Sequence, residues 1–344
     1  MRMRKRFLII PLLLCMLLSG CASESKPAKK QYNATFLELF NTVTTIVGQE
    51  TSEEIFREKA EAIRADLEYY HKLFDIYYDY DNVANIKTIN DNAGIKAVKV
   101  ERAVIELLLD CKRYYELTDG KVNAAMGSVL SLWHDARNDG IRDPLNAELP
   151  DAEELKAAAE HTSFDSVVID EAESTVFITD PLVQLDVGAI AKGWATQRVA
   201  EKAPEGMLIS VGGNVCATGP KNDGKDPWVI GIQDPQDSSR NIHSLYLNKG
   251  TVVTSGDYQR TYMVDGKLYH HIIDPETQMP ATYWCSVSVI CEDSGLADAL
   301  STGLFLMDLE QGRALAEQCG ADVLWIATDG TEHMTSGLES ILRN

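Results

Sequence analysis

From residue 56 onward, apolar side chains recur in steps of four and three: Phe56, Ala60, Ile63, Leu67, Tyr70 and Phe74. That spacing puts them on one face of a long helix. Thr51 and Glu54 form a capping-box pattern just ahead of it. The preceding run FLELFNTVTTIVG, residues 36–48, is rich in β-branched and aromatic side chains and predicts a first strand. The folded region is therefore expected to begin near Thr35. A second amphipathic helix is predicted over residues 102–117, stopped by Asp119 and Gly120, and a third over residues 126–135. Residues 138–152, with several Asp, Asn, Gly and Pro, read as loop.

From residue 166 the period shortens. SVVI, TVFI, LVQLDV, MLISV, WVIGI, SLYL, TVVTS, TYMV and SVSVI follow one another, separated by turn residues. One helix interrupts them over residues 189–202, with Ile190, Trp194 and Val199 facing inward. Another is predicted over 296–307 and a third over 309–319, before a closing strand, DVLWIAT. Helices first and then a strand-rich stretch with inserted helices argue for an α+β (mixed α/β) fold. No repeat and no Pro- or Ser-rich linker divides the chain, so residues 35–344 are taken as one domain.

The N-terminus carries a different signal. Arg2, Arg4, Lys5 and Arg6 precede an uncharged run from Phe7 to Leu18. Twelve residues are too few to span a bilayer, which takes ~20, but they suit a secretion signal. Leu18, Ser19, Gly20 and Cys21 match a bacterial lipobox, which would lipidate Cys21 and remove residues 1–20. Residues 21–34 then become the lipidated Cys and a flexible tether. The expected location is the extracytoplasmic face of the cell membrane, held by a lipid anchor.

Composition narrows the partners. The chain has 52 acidic and 32 basic residues, a formal charge of −20. Such a surface repels phosphate backbones, so no nucleic-acid partner is expected. A small anionic ligand would need local help from a metal or a helix N-terminus. Beyond Cys21 stand Cys111, Cys216, Cys285, Cys291 and Cys319, an odd number at irregular spacing. They show neither a zinc pattern nor a disulfide framework; mostly buried free thiols are expected.

Several segments hold chemistry-bearing residues. In DVGAIAKG, residues 186–193, a strand is expected to end and a helix to begin, where free N–H groups favour anions. Lys192 lies in the first turn, and glycines at 188 and 193 permit close approach. Asp186 could equally be a cap and Lys192 a solvated charge. Asp298 and Thr302 are four apart in an apolar helix and so share a face. Together they suit a hard cation such as Mg2+, or Asp298 simply bonds a nearby donor. In HHIIDPETQMP, residues 270–280, only one of His270 and His271 can face a site. An imidazole there could serve as general base or as structure. Tyr77, in the aromatic segment FDIYYDYDNVANIKTIN (residues 74–90), could stack on a flat ring or pack in the core. GGN at 212–214 allows a ligand near the backbone or makes a tight turn.

Taken in order, FNTVTTIVG, FDIYYDYDNVANIKTIN, GKVNAAMGSVLSLWHDAR, LDVGAIAKG, SVGGNV, TSGDYQR, HHIIDPETQMP and ADALSTGLF resemble the ApbE family of FAD:protein FMN transferases, over most of the chain. The resemblance implies a T-fold-like mixed α/β domain that uses Mg2+ to move FMN from FAD to a Thr or Ser hydroxyl of an extracytoplasmic target protein, with AMP leaving. Respiratory or extracellular electron-transfer proteins are the implied acceptors. It further implies that the Ala189 carbonyl, Asp298 and Thr302 hold Mg2+. Phe40, Tyr77, Ala125, Met126, Asp186, Lys192 and Ile272 would bind FAD, and His271 would be the base. Asp298→Ala should then abolish turnover with little change in stability. Ala189, Asn123, Ala125 and Gln278 replace residues commoner in the family. Two other readings stay open: a Mg2+-dependent FAD pyrophosphatase and a non-catalytic flavin-binding lipoprotein.

Overall fold

The structure, a computed structural model, describes residues 28–343. The signal segment and Cys21 lie outside the described residues. The tether expected over residues 21–34 is shorter than that: β1 (Lys30–Phe36) is already paired along its length with β2 (Thr44–Glu50), from Lys30↔Glu50 to Phe36↔Thr44. Ordered structure thus reaches back beyond Thr35. The single strand expected over 36–48 is broken by a short 3-10 turn at Leu39–Asn41, where Phe40 and Asn41 both have φ 52°.

Helix α1 (Glu53–Phe74) buries the six periodic side chains, Phe56 to Phe74, as the spacing predicts. Its cap is Ser52, whose hydroxyl accepts from Ile55 N–H, rather than Thr51. There follow α2 (Ile86–Asn90), β3 (Val98–Lys99), α3 (Arg102–Leu117), α4 (Gly127–Arg142) and α5 (Ala152–Ala159). Helix α4 runs seven residues beyond its predicted end, into the supposed loop, and α5, which was not expected, begins at the last residue of that loop. Both were hidden by exposed polar positions, which carry turn residues as readily as a helix face does. Asp151 caps α5 through Glu153 and Glu154 N–H.

Strand β5 (Thr175–Ile178) pairs with β3 on one side and β4 (Val167–Asp170) on the other in a small sheet. LVQLDV is not a strand. Gln184 makes one parallel bridge to Met126, and Asn90 supplies what a neighbouring strand would have. Its amide donates to Leu185 O (2.9 Å) and accepts from Leu185 N–H (2.8 Å). Helix α6 (Ala191–Ala200) comes next, with β6 (Met207–Val211), β7 (Asn214–Ala217), α7 (Lys221–Gly224), β8 (Trp228–Gln233), β9 (Asn241–Leu247) and β10 (Gly250–Gly256) after it. The chain closes with β11 (Tyr262–Val264), β12 (Lys267–Tyr269), β13 (Trp284–Cys291), α8 (Ser294–Phe305), α9 (Leu309–Cys319), β14 (Asp322–Ala327) and β15 (Glu332–Met334).

The main sheet is antiparallel, in the order β1-β2-β6-β7-β10-β13-β14-β15. Successive side chains point to opposite faces, and the burial follows. Val253, Val287, Val289, Val323 and Trp325 meet α8 and α9 on one face; Val252, Ile290, Leu324 and Ile326 meet the β8–β9 hairpin on the other. Helices α1 and α6 continue the first layer, with Trp194 edge-on to Tyr70 and Phe74. A satellite cluster joins α4, α5 and the β11–β12 hairpin through Met126, Val129, Trp133, Leu155 and Tyr262. The fold is mixed α+β as expected. Among the described residues the five cysteines are free, with Cys111, Cys216 and Cys285 buried, and no helix is long and apolar enough to cross a membrane.

Candidate active site

Helices α6 and α8 cross at a point where no side chain fits between them. A Cβ on Gly193 would stand 2.2 Å from Ser294 O and 2.4 Å from Asp298 Cβ. The glycine therefore serves the approach of a helix rather than of a ligand. Its N–H donates to Asp298 Oδ2 (2.8 Å), as does Asn214 Nδ2 (3.3 Å) from the start of β7. Lys192 Nζ lies 3.3 Å from both carboxylate oxygens and 3.2 Å from Gly188 O. Asp298 is 3% exposed. Burial pushes its carboxyl above the usual range, and Lys192, Gly193 N–H and Asn214 offset part of that push.

Gly193 is the third residue of α6, so its N–H is one of the first-turn donors without an acceptor in their own helix, and Asp298 supplies one. Ahead of the helix stands the Ala189 carbonyl. That carbonyl has no hydrogen-bond partner among the described residues, and neither has the Thr302 hydroxyl one turn after Asp298. Asp298, Thr302 and Ala189 all line one cavity of about 590 Å3, within the range of small-molecule sites. A carboxylate and two unpartnered oxygens form a hard-cation donor set, so the residues present fit Mg2+. Among the described residues no cluster of three or more His, Cys, Asp or Glu offers a competing metal site.

Phe40 and Met126 also line the cavity, as do Tyr77, Asp186, Lys192, His271 and Ile272. Ala125 does not. Its side chain is fully buried in the main core and its N–H donates to Asn123 Oδ1 (2.9 Å). Asn123 and Met126 on either side do face the cavity. Asp186 accepts from Gly188 N–H (2.8 Å), so it holds the turn into α6 as well as lining the site. Gly212 (φ 56°) lets the loop at Thr42 approach, since a Cβ there would lie 2.6 Å from Thr42 Oγ1.

Of the two histidines, His270 is committed to structure: Nε2 donates to Ala281 O (2.9 Å) and Nδ1 accepts from Ile272 N–H (3.2 Å). His271 faces the cavity. Its Nδ1 pairs with Gln259 O (3.1 Å). A carbonyl can only accept, so Nδ1 carries the proton and Nε2 keeps its lone pair. Burial, reinforced by Arg260, His270 and Lys192, pushes this imidazole down to about 3, so it is neutral at physiological pH. Tyr77 is half exposed; its hydroxyl meets His134 Nδ1 at 3.1 Å, and His134 Nε2 lies 3.9 Å from Asp186 Oδ2. Partial burial and Asp186 push the Tyr77 phenol up to about 12.

Asn214, His134, Arg137 and Arg260 join the cavity wall unannounced by the sequence. GGN pointed to the backbone near Asn214 but not to its amide, and the other three lie on segments whose inward faces no periodicity separates.

The model of the ApbE family matches residues 40–325. An FAD:protein FMN transferase of Klebsiella pneumoniae is 35% identical over 241 residues, 68% of this chain and 72% of that protein. One from Treponema pallidum is 33% identical over 277 residues, 75% of each. Among solved structures, the ApbE protein of Thermotoga maritima superposes with a TM-score of 0.80 at 34% identity, over 92% of this chain and 100% of that one. The flavin transferase ApbE of Vibrio cholerae gives 0.75 at 25% identity, over 91% and 99%. With a family match across most of its length and relatives at this identity, the chain belongs to the ApbE family.

Proposed function

We propose that this protein is a Mg2+-dependent FAD:protein FMN transferase that moves FMN from FAD to a Thr or Ser hydroxyl of an extracytoplasmic protein. The family membership makes it a transferase. The observation that carries the finer reading is the meeting of Asp298, Thr302 and the unpartnered Ala189 carbonyl with Lys192 and the free Nε2 of His271 around one cavity.

In this reading Asp298, Thr302 and Ala189 O hold Mg2+, which when bound supplies the positive charge a diphosphate needs in an acidic protein. Lys192 and the first turn of α6 add potential of the same sign. Phe40, Tyr77, Met126, Asp186 and Ile272 bound the flavin dinucleotide. The acceptor oxygen forms a bond to the phosphorus of the FMN half while the bond from that phosphorus to the bridging oxygen breaks. AMP departs with the bridging oxygen, and the hydroxyl proton passes to His271 Nε2. A hydroxyl is a weak nucleophile, hence the base; burial keeps His271 neutral, so Nε2 has its lone pair free to take the proton.

The N-terminal sequence supports the rest: Arg2 to Arg6, the apolar run and the lipobox ending at Cys21 imply a lipid anchor on the outer face of the cell membrane, near respiratory or electron-transfer acceptors. Cys21→Ala should release the protein from the membrane fraction. The activity is tested by incubating the purified domain with FAD, Mg2+ and candidate acceptor domains. A mass increase of one FMN on the acceptor, with AMP released, is the expected result. AMP and free FMN without an adduct would make the protein a pyrophosphatase, and FAD retention with no turnover a binding protein.

A further inference from the structure

The turn that carries Phe40 into the cavity wall has an unfavourable backbone. Phe40 and Asn41 both hold φ 52°, two consecutive left-handed residues without a glycine. Leu39 anchors the turn in the core, but Leu37 and Val43 on its flanks are 72% and 51% exposed. The side chain that reaches Phe40 is His71, from the last turn of α1. The Phe40 N–H donates to His71 Nδ1 (3.3 Å), and the Phe40 ring stands edge-on to the imidazole, centroids 5.5 Å apart. A backbone N–H can only donate, so Nδ1 is bare and the proton of the neutral imidazole sits on Nε2. Nε2 faces the Tyr80 hydroxyl at 3.4 Å, and that hydroxyl donates to Asp75 Oδ2 (2.7 Å). Asp75 Oδ1 in turn accepts from Tyr77 N–H (2.7 Å) and Tyr78 N–H (3.1 Å). One chain of hydrogen bonds thus joins Phe40 to Tyr77, both on the wall of the cavity that His71 and Asp75 also line.

We propose that His71 is a positioning residue for the flavin site: with Nδ1 bare it ties the Phe40 turn to the segment that carries Tyr77, and on protonation it lets the turn go. The inference rests on the flavin-transfer reading above, which sets Phe40 and Tyr77 against the dinucleotide. An imidazolium carries a proton on both nitrogens and has no acceptor left. The Phe40 N–H then faces another N–H, and the left-handed turn loses the contact that offsets its strain. The charged groups acting on the ring are Asp75, Glu68 and Lys72. Burial pushes the imidazole below its usual range, Asp75 and Glu68 pull it back up, and Lys72 adds to the push. Glu68 is itself engaged by Lys72 (2.7 Å) and Arg64 (2.9 Å). The turn presents the Phe40 ring and N–H, neither of which titrates. The Tyr80 phenol, pushed up by burial and by Asp75, stays protonated. At neutral pH the tie is therefore whole, and its release belongs below about pH 6.5.

The test labels the protein with nitrogen-15 at His and Phe. In NMR spectra His71 should show the Nε2–H tautomer, where His271 shows Nδ1–H, and the Phe40 amide should shift with the midpoint at which His71 titrates. FAD affinity, read by flavin fluorescence, should fall at least fivefold from about two pH units above that midpoint to about one below it. In H71N, whose Oδ1 accepts at every pH, affinity at neutral pH should stay within twofold of the unaltered protein and lack that fall. H71F, a ring without an acceptor, should bind FAD at least fivefold more weakly at neutral pH. An Nδ1–H tautomer at His71 would overturn the proposal, as would a Phe40 amide that ignores the titration or a His71 that stays neutral until the fold is lost. So would H71F binding like the unaltered protein, H71N binding no better than H71F, or H71N losing affinity in step with the unaltered protein. If a variant fails to fold, the spectra of the unaltered protein still decide. No FAD binding by the unaltered protein at any pH would instead sink the flavin reading, while the spectra test the tie without flavin.

Discussion

Removing the Asp298 carboxylate should cost the protein stability as well as its reaction, contrary to the expectation from sequence that stability would barely change. Asp298→Ala leaves the Gly193 N–H buried without an acceptor, a loss of ~1–3 kcal/mol. It also strips Lys192, whose side chain is 17% exposed, of its counterion. Breaking a fully buried pair costs ~3–5 kcal/mol, but Lys192 keeps Gly188 O at 3.2 Å and some water, so the lower part of that range applies. The two effects overlap, giving a total of about 3–5 kcal/mol by these magnitudes. Against a typical stability of ~5–15 kcal/mol, this is large. At roughly 2 °C per kcal/mol for a large domain, Tm should fall by roughly 6–10 °C. Asp298→Asn separates the two roles. It keeps an oxygen for Gly193 N–H and should cost ~1–3 kcal/mol, yet it removes the charge a hard cation needs. Thermal and urea melts of both variants, run beside FMN transfer at saturating Mg2+, give the answer. Asp298→Ala within about 1 kcal/mol of the unaltered protein would refute the packing argument, and unaltered turnover in Asp298→Asn would refute the ligand assignment.

Three further outcomes follow from the same geometry. His271→Gln should lower the transfer rate by ~10²–10⁴-fold with FAD affinity little changed, measured by single-turnover kinetics and flavin fluorescence; a change confined to affinity would remove the base. Gly193→Ala forces a Cβ within 2.2 Å of Ser294 O; since a backbone atom cannot step aside, urea denaturation should show a loss at or above ~3 kcal/mol, and a loss under ~0.5 kcal/mol would mean that α6 and α8 yield freely. Burial lowers His71, His134, His270 and His271, so the unfolded chain takes up protons that the fold refuses. Their contribution is whole above the unfolded pKa of ~6.5 and is lost as pH falls, for His271 down to about 3. Asp257, raised to about 6, and Asp298, also raised, act oppositely, adding stability as pH falls through their folded pKa. Stability by urea should therefore fall from pH 7.5 to 6, by up to ~1.4 kcal/mol per pH unit for each proton of difference, and less steeply in His271→Gln; a flat or rising curve would contradict the burial argument.

What the sequence disclosed depended on the distance over which each interaction acts. Helix α1 was legible because its cause is local: six side chains on one face. The strands of the main sheet were legible as short β-rich runs, but not their order, since β2 pairs with β6 across more than 150 residues. LVQLDV misled because its backbone is satisfied by Asn90, a side chain 95 residues away, which no pattern within the run reveals. Most of the candidate site was named through the order of its motifs, and Ala125 was misplaced because a motif marks a segment without saying which of its atoms face inward. Gly193 shows the limit most clearly. Its place near a helix start suggested room for a ligand, whereas its neighbour is Asp298, 105 residues on. That carboxylate supplies the acceptor that a first-turn N–H of α6 lacks within its own helix, beside the Ala189 carbonyl at the cavity wall. One side chain thus locks α6 against α8 and carries the charge proposed to hold a cation, which is why Asp298→Asn, and not Asp298→Ala, is the variant able to tell structure from chemistry.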